Sequence, residues 1–276
     1  MKPDFRSTLR NTGPAFRRFA LLALVGAAAL PSQAEISMLP AMQAGSGIAS
    51  AAPPAPSPAY ARWQSSLDAF ALTDQQSHPA ADGVLFVGSS TIRMWSHLSQ
   101  DFRQVPVLIN RGFGGSTMRD CNALVRELVI QYKPRQVMVY AGDNDLAEGR
   151  TPAEVLGSFE NFVRSVRAEL PGARISYISI KPSPSRSLLL PKIRETNALI
   201  ASYAQAAADV RYIDIFNPML NAEGQPRPEL FLTDRLHLNE AGYRLWQSVL
   251  AADVSMAPLV AAQPARAMQQ ASASAR

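Results

Sequence analysis

The chain has 276 residues, of which 47% are hydrophobic and 18% charged, with one cysteine and a formal net charge of +5. That apolar content supports a sizeable core and excludes wholesale disorder. The single cysteine, Cys121, excludes an intrachain disulfide framework and every cysteine-cluster zinc site. A basic balance raises nucleic acid or a membrane surface as a partner, depending on where the charges lie.

Lys2, Arg6, Arg10, Arg17 and Arg18 precede an apolar run over residues 19–30 (FALLALVGAAAL), which is followed by Pro31-Ser32-Gln33-Ala34. This is the pattern of an export signal cleaved after Ala34. The run is shorter than the roughly 20 apolar residues of a spanning helix. Arg17-Arg18 leaves both the twin-arginine and the general export route open. No cysteine lies near the cleavage point, so a lipoprotein is excluded. Five of the 27 basic residues and one of the 22 acidic residues fall within residues 1–34, so the remainder carries a net charge of +1. Nucleic-acid binding thereby loses its main support, and an exported chain, periplasmic or secreted, is expected.

Residues 35–58 are rich in Ala, Pro, Ser and Gly and read as a linker, partly stiffened as polyproline II. Residues 259–276 contain no acid and no aromatic residue and read as a disordered tail. One domain is expected between them, over residues 59–258. Residues 60–258 have no net charge, because Glu35, Arg266 and Arg276 lie outside them.

Within the domain, Tyr60, Trp63, Leu67, Phe70 and Ala71 fall at helical spacing, predicting a packed helix over 59–72. Short apolar runs predict buried strands at 83–88, 105–110, 136–141, 175–180 and 210–215. Between them, 118–132 carries Cys121, Leu124, Val125, Leu128 and Val129 on one stripe, which places Cys121 in the core. Residues 151–170 open on Thr151-Pro152-Ala153-Glu154, the pattern of an N-cap, a proline in the first helical position and a capping box. Further helices are predicted at 191–208 and 240–252. Uninterrupted apolar strands alternating with helices predict an α/β fold, a parallel sheet covered on both faces. In such sheets ligands bind beyond the carboxyl ends of the strands.

Four segments at or beyond those ends carry polar side chains. Gly88-Ser89-Ser90 sets hydroxyls at a strand-to-helix turn, where they serve as an N-cap or face developing negative charge. Gly112-Phe113-Gly114-Gly115 lets backbone N–H groups approach a ligand or simply closes a tight loop. Without a following Lys-Ser/Thr it is not a P-loop. Gly142-Asp143-Asn144-Asp145 offers an amide donor, a turn or, less simply, a divalent-metal site. Asp234 and His237 have the spacing at which a carboxylate fixes an imidazole, although a plain surface pair has it too. Of the other histidines, His78 is expected in solvent and His97 at the surface or in packing.

Taken together and in this order, the four segments resemble the blocks of the SGNH/GDSL hydrolases over about residues 80–250. The resemblance implies a three-layer, flavodoxin-like sandwich with a five-stranded parallel sheet. It implies Ser90 as nucleophile and Asp234 and His237 as the rest of a triad. The oxyanion donors would be the backbone N–H groups of Ser90 and Gly115, with Gly114 as the next match, and the Asn144 side chain. Ser89 replaces the aspartate usual in the first block.

The implied reaction is hydrolysis of small acyl esters, acetyl or other short-chain, through an acyl-enzyme. It calls for no metal and no organic cofactor, and the expected partner is a small-molecule or glycan ester. A histidine base must be neutral, so activity is expected to rise through roughly pH 6 to 8. A lysophospholipase or thioesterase activity, or a non-catalytic glycan-binding module, remains the alternative. Arg93, Arg111, Arg119 and Arg186 are expected at the mouth beside Trp95 and Phe113. There Arg93, Arg111 and Phe113 are candidate substrate contacts, and arginines would suit a carboxylate or phosphate.

Overall fold

The structure is a computed structural model that describes residues 58–254. The expected signal, linker and tail lie outside these residues, apart from Pro58. Five parallel strands, β1 (Val84–Gly88), β2 (Leu108–Gly112), β3 (Gln136–Tyr140), β4 (Arg174–Ile178) and β5 (Val210–Ile213), form one sheet in the order β2-β1-β3-β4-β5. The chain leaves β1 to one side for β2 and then returns to the other side for β3. The crevice between β1 and β3 is therefore the topological switch point.

Side chains alternate across the sheet, and both faces are covered. Leu85, Val87, Val137, Val139 and Ile175 enter one core, and Val84, Phe86, Met138, Tyr140 and Ile178 enter the other. The first core is closed by α1 (Pro58–Gln76), α4 (Met118–Ala123), α5 (Val125–Leu128), α7 (Pro152–Glu169) and α8 (Leu190–Ala206). The second is closed by α2 (Ser90–Arg93), α3 (Leu98–Asp101) and α9 (Glu240–Val254). The short α6 (Asp143–Ala147) follows β3. Trp95 and Trp246 meet edge to face in the second core at 6.1 Å between centroids. Such pairs add to the burial of two large rings. Among the described residues no helix is long and apolar enough to cross a membrane.

Strand β2 lies later than its apolar run. Val105 closes a turn onto the Phe102 carbonyl, and pairing with β1 continues through Arg111 and Gly112. The stretch read as one helix over 118–132 is three short turns. Leu124 leaves helical geometry at φ −111°, ψ 22°, and Ile130–Tyr132 is a 3-10 turn. Val125, Val129 and Ile130 are β-branched and extend a helix poorly, while the break still buries Val125, Leu128 and Val129. Cys121 is fully buried, as its stripe predicts, and burial pushes its thiol well above the usual range.

At α7 the expected capping box forms. The Glu154 N–H donates to the Thr151 hydroxyl at 3.3 Å, and the Thr151 N–H donates to the Glu154 carboxylate at 2.8 Å. Thr151→Ala is expected to cost about 1 kcal/mol, read as a lower denaturant midpoint at unchanged slope. An unchanged midpoint would show the cap to be energetically idle.

Candidate active site

The first block sits where β1 ends. The Ser89 N–H donates to the Tyr140 carbonyl at 3.0 Å, and the Ser89 carbonyl accepts from Ile92 and Arg93, opening α2. Ser89 is buried, and its hydroxyl makes no cap bond to α2. Ser90, one residue on, is half-buried and opens α2.

The fourth block is a tight turn. A bridge joins Phe231 to Leu238, the Leu232 N–H donates to the His237 carbonyl at 2.8 Å, and Arg235 turns through a left-handed φ of 58°. Within the turn, one Asp234 oxygen accepts the backbone N–H groups of Leu236 and His237, both at 2.9 Å. The other oxygen lies 2.7 Å from His237 Nδ1. His237 Nε2 then lies 2.9 Å from Ser90 Oγ. Of the two serines in the first block, Ser90 is the one against the imidazole. Asp234 is half-exposed, yet its carboxyl is held down at about 2, first by the His237 side chain and then by the two backbone N–H groups.

The second and third blocks converge on the same end of the sheet. Gly115 is exposed with a left-handed φ of 81°, and a side chain there would meet the Trp63 ring 3.8 Å away. Trp63, edge-on to Phe113 at 5.0 Å, makes α1 a wall of this loop. Asn144 is half-buried, its Nδ2 donating to the Ser116 carbonyl and its Oδ1 accepting from Arg186, both at 2.9 Å. Asp143 and Asp145, adjacent to Asn144, are committed elsewhere. Asp143 pairs with Lys181 at 2.9 Å and with Arg186 at 2.5 Å. Asp145 accepts the Met118 N–H at 2.9 Å and so caps α4.

Several residues expected at the mouth are not there. Arg111 is buried, paired with Asp74 of α1 and stacked over Phe70 and Tyr132. Phe113 packs in the core against Trp63. Trp95 is buried, with its indole N–H donating to Asp101 at 2.6 Å. Arg186 is turned onto Asp143 and Asn144. Arg93 is exposed and lies against Gly114, next to the second block. Arg119 is exposed on α4. His97 is exposed, and the exposed His78 stacks on Tyr132. Lys181 was not singled out from the sequence. It follows an apolar strand within Lys-Pro-Ser-Pro, which reads as a solvated loop, and its burial is explained by the distant Asp143 and Tyr140, which receive its ammonium.

Fold and geometry together define a three-layer α/β protein with a serine, a histidine and an aspartate in line beyond the carboxyl strand ends. A family model for GDSL-like lipases and acylhydrolases matches residues 73–245, and the chain belongs to that family, whose members are hydrolases acting on esters. It is 25% identical over 195 residues to platelet-activating factor acetylhydrolase IB subunit alpha2 of Gallus gallus, covering 66% of this chain and 79% of that protein. Solved structures share the fold. A GDSL-like lipase from Bacteroides thetaiotaomicron matches with a TM-score of 0.57 at 23% identity, over 71% of this chain and 96% of that one. A catalytic mutant of an acetylxylan esterase from Geobacillus stearothermophilus matches with a TM-score of 0.55 at 14% identity, over 65% and 96%.

Proposed function

We propose that this chain is an exported serine esterase that hydrolyses small acyl esters, acetyl esters foremost, through a Ser90–His237–Asp234 triad. The observation that carries the reading is the His237 ring, with one nitrogen 2.7 Å from a carboxylate and the other 2.9 Å from a serine hydroxyl. A hydroxyl is a weak nucleophile until a base takes its proton. The Asp234 carboxylate holds the proton on Nδ1, leaving the Nε2 lone pair for Ser90 Oγ. Ser90 Oγ attacks the ester carbonyl, and the imidazolium then protonates the leaving alcohol. Water, deprotonated by the same nitrogen, hydrolyses the acyl-enzyme. The Ser90 and Gly115 N–H groups and the Asn144 amide stabilise the oxyanion.

The names of the two acetyl-ester hydrolases above support acetyl as the acyl group. The basic and apolar pattern of residues 1–34 supports export. The test compares the protein with Ser90→Ala on p-nitrophenyl acetate. Turnover is expected only with Ser90 present, and equal rates would sink the reading. A series from acetyl to palmitoyl esters should show rates falling with chain length, and a maximum at long chains would favour the lysophospholipase alternative.

A further inference from the structure

We propose that Arg186 is a positioning residue for the oxyanion donor, fixing and polarising the Asn144 amide while Asp143 and Lys181 hold it in place. The inference rests on the esterase reading for its kinetic consequence but not for its structural one. An asparagine amide can flip by a half-turn with little change in shape, which exchanges donor for acceptor. Here both ends are specified. A guanidinium only donates, so the atom it meets is Oδ1, and the Ser116 carbonyl only accepts, so the atom it meets is Nδ2. One Nδ2 hydrogen is committed to Ser116, and the second remains for an oxyanion. A cation on Oδ1 also draws charge from the amide and strengthens that donor.

Arg186 is itself fixed. Its guanidinium lies 2.5 Å from Asp143, whose other oxygen is 2.9 Å from Lys181 Nζ, and Lys181 donates to the Tyr140 hydroxyl at 3.0 Å. Asp143 and Lys181 are 5% and 2% exposed, so this is a buried ion cluster rather than a surface pair. Burial alone would raise the Asp143 carboxyl, and the two cations more than offset it, holding the carboxyl below its usual range. Two cations and one anion leave the cluster a net positive charge on the side of Asn144 away from Ser116. The field there favours negative charge developing on an oxyanion held by the Asn144 Nδ2–H.

The test combines kinetics with a signal that needs no turnover. Arg186→Met should lower kcat for p-nitrophenyl acetate roughly 10- to 100-fold, with KM changed less than about threefold. In an Asn144→Ala background the same substitution should cost less than about threefold, because the residue it positions is gone. Arg186→Lys, which restores charge without the fork, should fall between. The side-chain amide proton resonances of Asn144, assigned by their loss in Asn144→Ala, should move in Arg186→Met. Losses that multiply in full, or Asn144 resonances that stay in place, overturn the proposal. If Arg186→Met does not fold, Arg186→Lys must itself lower kcat and move those resonances, or the proposal fails. If the protein and Ser90→Ala turn over alike, the esterase reading falls, while the amide resonances still decide what Arg186 does.

Discussion

His237→Ala is expected to lower kcat by roughly 10⁴- to 10⁶-fold, and the double variant with Ser90→Ala to be no worse than either single one. The two side chains are one unit joined by a 2.9 Å contact. A serine without its base is a neutral alcohol, and a histidine without the serine has nothing to deprotonate. The pH profile separates this unit from its support. Because Asp234 is held at about 2 rather than its ordinary 3.8, ionised Asp234 contributes stability above pH 4, and that contribution is lost only as pH falls through about 2. Asp234 therefore stays charged throughout the working range. A fall in kcat on the acid side of neutrality therefore cannot come from Asp234. A rate flat from roughly pH 5 to 9 would remove His237 as the base. Rates that multiplied in the double variant would show two independent contributions instead of one.

Gly88→Ala is expected to destabilise the domain by more than about 4 kcal/mol, a large share of the roughly 5 to 15 kcal/mol that holds a typical domain folded. Gly88 is the last residue of the inner strand β1, paired with Gly112 on one side and Tyr140 on the other. A Cβ there would lie 1.8 Å from the Tyr140 carbonyl oxygen, and φ is 144°, where L residues are rare. The obstructing atom belongs to the backbone of β3, in the middle of the sheet, and cannot rotate away. Relief requires β1 and β3 to part at the crevice where Ser90 and Asn144 sit. Denaturant unfolding followed by circular dichroism measures the loss. A midpoint within about 1 kcal/mol of the parent would show that the strand ends yield more easily than their spacing implies.

Most of the sheet was legible because a parallel strand covered on both faces is a continuous apolar run, as 84–88 and 136–140 are. Strand β2 was displaced because its carboxyl half, Asn110-Arg111-Gly112, is polar and has no such run. It is held by pairing with β1 and by the Asn110 side chain, which donates to the Ile92 carbonyl and accepts from the Gly112 N–H. The Asp234–His237 pair was legible because its partners are three residues apart. The cluster of Asp143, Lys181 and Arg186 was not, because its members meet across 38 and more residues with no period to mark them. Arg111 illustrates the same limit. A strand end signals the functional edge of the sheet but not which way its side chain turns, and Asp74, 37 residues earlier, draws it onto α1.

The acid and base share one short turn, whereas base and nucleophile are 147 residues apart. On the proposed triad, translation must therefore run almost to the end of the domain before a complete hydrolytic unit can exist. A chain cut anywhere between β1 and residue 231 leaves a serine that cannot attack and, on the other fragment, an Asp–His turn with no hydroxyl to activate. If the proposed triad is the active unit, fragments that separate after such a cut are each expected to be inactive, and no smaller active species is expected.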